Sequence, residues 1–193
     1  DVGEGENTPE INPNWGEPDL TIAERVFASN TFEVRAFETG NPKSPANAIP
    51  PSAVVFGHLR YVVGTDISKL MPLLRAHLDK HGFNDITITS ERDMMPATRL
   101  DPDHPWAKWA IKSLSKTAED EIAVIPNLGG ALPNDVFADL LGLPTIWVPH
   151  SYAGCSQHAP NEHILESISK SALRLMTGLW WDLGEGNTPR QVS

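Results

Sequence analysis

Polar and apolar residues alternate from Thr31 to Glu38, and a period of two predicts a half-buried strand. Ala53 to Val63 predicts a second, long strand interrupted by Gly57. Thr65 and Asp66 then supply capping side chains for a helix running to His81, with Ile67, Leu70, Leu74 and Leu78 on one stripe. Gly82 ends that helix, and Phe83 to Thr89 predicts a further strand. The result is an α+β unit with an antiparallel sheet. Residues 1–19, with Pro9, Pro13 and Pro18, carry loop signals.

After Ser90–Pro96 the rhythm changes. Pro105 to Lys116 predicts a helix with Trp106, Trp109, Ala110 and Leu114 on its apolar side, and Ile122–Pro126 a short all-apolar strand. Pro133–Leu141 predicts a helix entered through proline and stopped by Gly142. Thr145–Val148 predicts another buried strand, and Asn161 a cap for a long closing helix carrying Ile164, Ile168, Leu175 and Leu179. Helices alternating with short apolar strands predict a mostly parallel sheet covered on both faces.

Composition narrows the function classes. The 193 residues are 40% apolar and 21% charged, an ordinary globular balance. Fifteen Lys and Arg against 25 Asp and Glu leave a net charge of −10. That excess argues against nucleic acid, whose binding needs a basic face, and against anionic membrane surfaces. Cys155 is the only cysteine, which excludes an intrachain disulfide and a Cys-rich zinc module. No apolar run reaches the length of a membrane span, and the expected location is cytoplasmic.

Loops that follow strands are where α/β sheets place their chemistry. Asn127 to Pro133 contains the pair Gly129-Gly130 ahead of a helix, a pattern open to two readings: an anion-holding turn or a tight strand-to-helix connection. No Gly-Lys-Ser/Thr follows, so a nucleotide phosphate loop is a poor reading. The second loop holds His150, His158 and His163 together with Cys155. Three histidines suit metal or acid–base chemistry. His158 and His163 are five apart and on one helix would diverge by about 140°, so they are no ready-made ligand pair. Gly154-Cys155-Ser156-Gln157-His158 misses the nucleophile-elbow pattern at its last position. His58, His77, His81 and His104 fall on strand or helix surfaces.

Five motifs occur in one order: Asn47-Ala48-Ile49-Pro50, a strand ending in Leu59-Arg60, Gly64-Thr65-Asp66, Gly129-Gly130-Ala131-Leu132-Pro133 and His158-Ala159-Pro160-Asn161-Glu162. The series resembles the zinc metallohydrolase family of aminoacylase, acetylornithine deacetylase, succinyl-diaminopimelate desuccinylase, glutamate carboxypeptidase and the carnosinase-like dipeptidases. The resemblance implies a phosphorylase/hydrolase-like α/β catalytic domain with an inserted α+β lid. It implies two zinc ions, with cobalt or manganese as alternatives, sharing a bridging carboxylate and water beside a glutamate base. Carried over by motif, His158 is the last metal ligand. Asn47 and Arg60 are lid residues that reach the substrate, and Gly129 and Gly130 line its pocket.

Two departures qualify the picture. Asn127 and Ala131 stand where some dipeptidase relatives have Arg and Ser, so an arginine fork for a substrate carboxylate is missing there. The family's other ligands and its base lie upstream of the lid, and the first histidine here is His58. The resemblance therefore implies the C-terminal portion of such an enzyme, with a partial lid over residues 1–91 and part of the catalytic domain over 92–193. The expected reaction is hydrolysis of an amide or related C–N bond in a small N-acyl amino acid or dipeptide. The chain alone is expected to be inactive without a companion N-terminal half. The alternative is a noncatalytic, lid-containing chain acting only in dimerisation or partner binding.

The resemblance also implies pairing of lids into a homodimer, an exposed strand edge joining its own copy. At micromolar concentration a preparation with the whole lid is expected to scatter light as a dimer; a monomer alone overturns this.

Overall fold

The computed structural model describes residue 10 and residues 12–90 and 94–189. The chain divides into two compact units, one spanning Asn14–Ala97 and one that contains the residues from Thr98 onward. No helix among the described residues is long and apolar enough to cross a membrane.

The first unit opens with a short helix that the hydrophobic pattern does not announce, α1 (Ile22–Phe27). Its start is a reciprocal cap: the Glu24 amide donates to Thr21 Oγ1 at 3.3 Å and the Thr21 amide to Glu24 Oε2 at 2.8 Å. The Arg25 guanidinium then ties the preceding loop down, donating to the carbonyls of Leu20 and Pro18.

Strands β1 (Thr31–Thr39) and β2 (Ala53–Arg60) pair antiparallel, from Thr31 opposite Arg60 to Thr39 opposite Ala53. The ladder slips between Val34 and Ala36, leaving Arg35 as an extra residue. Simple alternation would put Phe37 with Glu33 on the polar side. The slip instead places it opposite Val55, on the face of Phe32, Val34 and Leu59. Gly57 lies opposite Val34 beneath the Phe32 ring, which occupies the space a methyl group there would need. This apolar face is open: Phe32, Val34 and Phe37 are all more than half exposed.

The helix after the hairpin forms as its pattern predicts. Asp66 Oδ1 accepts from the Ser68 amide at 3.1 Å, a 3₁₀ turn covers Ile67–Lys69, and α2 runs from Leu70 to Lys80. Ile67, Leu70, Leu74 and Leu78 form its half-buried side, and Gly82 stops it with φ +82°. Asn30 Oδ1 accepts from the Val62 amide and Thr65 Oγ1, fixing the link between β2 and this helix. The strand expected over Phe83–Thr89 does not form. Arg75 of α2 donates to the carbonyls of Phe83 and Ile86, so acceptors that a ladder would use are taken by a side chain.

In the second unit α3 (Pro105–Leu114) starts with proline at its first turn and His104 Nδ1 accepting from the Trp106 amide. Its Ala110, Ser113 and Leu114 are 4%, 2% and 6% exposed, and with Cys155 they are the buried residues of the described chain. The helix packs on α4 (Glu166–Gly184), whose Gly178 has Thr117 Cγ2 only 2.7 Å from where a Cβ would stand. Lys116–Asp182 and Arg174–Glu119 ion pairs, both 2.7 Å, join the two segments. Each cation holds its carboxylate below the usual carboxylate range through the hydrogen bond it donates.

The helix expected over Pro133–Leu141 forms over residues 134–140, with π-helical bonding at Val136–Leu140 where Leu141 N–H donates to Val136 O, and ends at Gly142. Two expectations need correction here. Asn161 does not cap the closing helix: it is left-handed (φ +65°), and α4 starts at Glu166 without a side-chain cap. The parallel sheet is also absent among the described residues, where β1 and β2 form the sheet. Segments 122–126 and 145–148 make no ladder, and their Val124, Ile125, Ile146 and Trp147 stay exposed. A parallel strand needs at least one paired neighbour and cover over both faces, and among the described residues these segments have no ladder partner.

Gly57→Val is expected to displace the Phe32 ring and destabilise the first unit by about 1–3 kcal/mol, the usual range for overpacking. Thermal unfolding followed by aromatic signals checks this; an unchanged midpoint contradicts the packing.

Candidate metal-binding loop

His158 lies in the connection from Pro149 to Leu165, an irregular segment tied by its own hydrogen bonds. Cys155 anchors it. The thiol is 6% exposed and accepts from Ser151 Oγ at 3.2 Å, and the Cys155 amide closes a turn onto Tyr152 O at 3.1 Å. The His163 amide returns to Cys155 O at 3.0 Å, and the Ala159 amide to Ser156 O at 2.9 Å. Residues 155–163 thus form a closed ring, with His158 far from its closure.

A side-chain relay braces the base of the ring. His163 Nδ1 lies 2.8 Å from the Asn161 carbonyl oxygen, and Nε2 lies 2.6 Å from Tyr152 Oη. A carbonyl only accepts, so Nδ1 carries a proton; in the neutral ring Nε2 then accepts from the Tyr152 hydroxyl. The two rings meet edge to face at 5.8 Å. Gly154 makes room for this: a Cβ there would sit 2.7 Å from Tyr152 Cε2.

The backbone within the ring is unusual. Ser156, His158 and Asn161 have φ of +57°, +61° and +65°, a region uncommon for non-glycine residues; Asn and His enter it more readily than most, and three within six positions mark a backbone held by its surroundings. His158 itself is exposed, its amide donating to Glu162 Oε2 at 3.3 Å, and its imidazole makes no hydrogen bond among the described residues. A free imidazole is a borderline-soft nitrogen donor of the kind zinc takes. No group of three His, Cys, Asp or Glu side chains among the described residues could hold a metal. His158 therefore fits one corner of a metal site, and the described residues do not supply the others.

The glycine loop lies beside the segment leading into the histidine loop. Gly130 faces Trp147, with a ring carbon 3.2 Å from where a Cβ would stand. Trp147 Nε1 donates to Asn134 Oδ1 at 3.4 Å, and Asn134 Nδ2 to Thr98 Oγ1 at 2.7 Å. The Gly130 amide donates to Leu128 O at 2.9 Å, so of the two readings the tight turn describes this loop, and that amide is not free for an anion. Asn47 and Arg60 belong to the other unit and lie at opposite ends of the hairpin. Asn47 is exposed in the connection beyond the Thr39–Ala53 pair, and Arg60 is half-buried at the Thr31 end, about 23 Å away along β2. The structure brings Gly130 to the approach of the His158 loop and keeps Asn47 apart from Arg60.

His150 has no counterpart role to His158 among these contacts, and His163 is occupied as a brace. The sequence reading did not single out Tyr152. Its partner lies eleven residues away, and no periodicity links the two; the small Gly154 beside it is the one local sign of a ring packed closely on backbone.

No protein-family model matches the chain, and no curated protein does so. Among solved structures it is similar to the M20 family metallo-carboxypeptidase Sso-CP2 from Sulfolobus solfataricus, at 26% identity and a TM-score of 0.69. The match covers 90% of this chain and 39% of that one, so the chain spans about two-fifths of the carboxypeptidase's length. The likeness supports a chain of the metallohydrolase type, with helices and an antiparallel two-stranded sheet as in such a peptidase.

Gly154→Ala is expected to push the Tyr152 ring off His163. The loss is readable by nitrogen NMR as a mixed His163 tautomer in place of the single Nδ1–H form. An unchanged tautomer contradicts the geometry.

Proposed function

We propose that this chain forms part of a binuclear-zinc amidohydrolase or exopeptidase that cleaves an amide or related C–N bond of a small substrate. The structural match to a metallo-carboxypeptidase across 90% of the chain carries this reading. His158 would hold one metal ion through its free imidazole. When bound, such a metal acts as a Lewis acid toward the substrate's carbonyl. The remaining ligands and the general base come from a companion N-terminal portion, since the described residues offer no further donor cluster.

The other residues bind and orient. Asn47 offers amide N–H donors and Arg60 a planar fork for the substrate's carbonyl oxygen, where negative charge develops; from opposite ends of the hairpin they would reach one oxygen only as residues of two paired copies. Gly129 and Gly130 let the backbone come close to the substrate, with the Trp147 ring behind Gly130 as a flat apolar wall. Asn127 in place of arginine removes the natural partner of a free carboxylate at this wall. The hairpin unit would serve as the lid and pair two copies of the chain.

A second reading is a noncatalytic chain that associates through its hairpin. The open apolar face of Phe32, Val34 and Phe37 favours it. Zinc stoichiometry separates the two. Alone, the chain is expected to bind zinc weakly and hydrolyse nothing; with the N-terminal half supplied, zinc and amide hydrolysis return together. His158→Ala in that complex is expected to lower turnover by orders of magnitude and to release one metal, as displacement of a catalytic ligand does. Full zinc and normal turnover in the variant overturn the assignment, as does stoichiometric zinc with hydrolysis by the isolated chain.

A further inference from the structure

We propose that Tyr152 and His163 are positioning residues, whose hydrogen-bonded pair holds the 156–161 backbone in the shape that presents the His158 imidazole as a metal ligand. This rests on the reading of His158 given above. Three observations carry it, and none involves His158's own side chain.

The first is the backbone. Three non-glycine residues within six positions are left-handed. Each such conformation persists only where the surrounding structure over-determines it. Released, His158 relaxes toward negative φ, and its side chain leaves along a different direction.

The second is where the restraint acts. Backbone bonds close the ring at Cys155 and His163 and turn it at Ser156 and Ala159. The side-chain relay across its base is Tyr152 Oη–H to His163 Nε2 at 2.6 Å, continued by His163 Nδ1–H to the Asn161 carbonyl at 2.8 Å. The second bond ends on Asn161, one of the three left-handed residues, so the relay grips the strained segment itself.

The third is that His163 has no ring nitrogen left over. Both are spent inside the loop, so His163 is a brace and not a second ligand, although it lies five residues from His158. Partners bonded directly to a ligating histidine usually contribute about 10–100-fold in metal affinity; Tyr152 and His163 act one step further out, through the backbone that carries His158, so the lower end of that range is the expected effect.

The test uses Tyr152→Phe, which keeps the ring and removes only the hydroxyl, with His163→Leu and His163→Gln as a pair. The glutamine amide oxygen can replace Nε2 as acceptor of the Tyr152 hydroxyl, whereas leucine cannot. In the chain alone, the amide–Hα coupling and Cα shift of residue 158 report its φ. They are expected to leave the left-handed range in Tyr152→Phe and His163→Leu and to return toward it in His163→Gln.

In the cobalt-loaded complex with the companion half, the first two variants are expected to bind metal about tenfold more weakly, with an altered visible cobalt spectrum. If the residue-158 signals stay put in both, the positioning role is overturned while the His158 reading stands. The same holds if they move and cobalt affinity and spectrum do not. If His158→Ala binds cobalt as wild type does, His158 is no ligand, and both proposals fall.

Discussion

Everything in this chain is organised around a shortage of cover for apolar surface. Three apolar residues are buried in the described chain, and two of them, Ala110 and Leu114, lie where α3 meets α4. Burial on the order of 25 cal/mol per Å² is the main favourable term in folding, so among the described residues this helix pair, with the buried Cys155, is where the second unit secures itself by packing. Gly178 lets the helices approach, and the Lys116–Asp182 and Arg174–Glu119 pairs fasten the rims. Such rim pairs contribute little each, which leaves the small buried contact as the decisive one.

That shortage explains what was legible in the sequence and what was not. Elements defined by local rules came through: the hairpin strands, the Asp66-capped helix with its Ile67–Leu78 stripe, and the Pro105 helix. Each is specified by its own capping groups, its alternation or its amphipathic face. The segments at 122–126 and 145–148 are apolar enough for buried strands, but strand character is conferred by neighbours, which lie beyond the reach of a local pattern. Phe83–Thr89 failed for a different reason, because Arg75 reached its carbonyls first.

The candidate site divides in the same way. The motif order pointed to His158, and the structure adds a loop that is bonded at every turn and left-handed at three residues. Its brace, Tyr152 with His163, escaped the sequence reading because histidine invites the role of ligand. Only the acceptor at Nδ1 and the hydroxyl at Nε2 show that this one is already satisfied. The loop's rigidity and the unit's thin core are complementary: a segment with few apolar contacts keeps its shape by hydrogen bonds.

The extra residue in β1 has a consequence for how this hairpin can change. Arg35 is a spacer whose bulging out of the ladder sets the phase of everything after it. Any residue able to sit in a bulge would keep Phe37 beside Val55, so the identity at this position is loosely constrained. Its removal is absorbed as well: Val34 and Ala36 already pair with the consecutive residues Gly57 and Phe56, so closing the gap leaves Phe37 opposite Val55 in an unbulged ladder. What the hairpin does not absorb is a flattening that keeps the residue: with Arg35 paired opposite Phe56, Phe37 would turn to the side of His58 and Glu33. Drift at this one position should therefore accept both rewording and loss of a letter, while a second inserted letter would have to be swallowed by the same bulge.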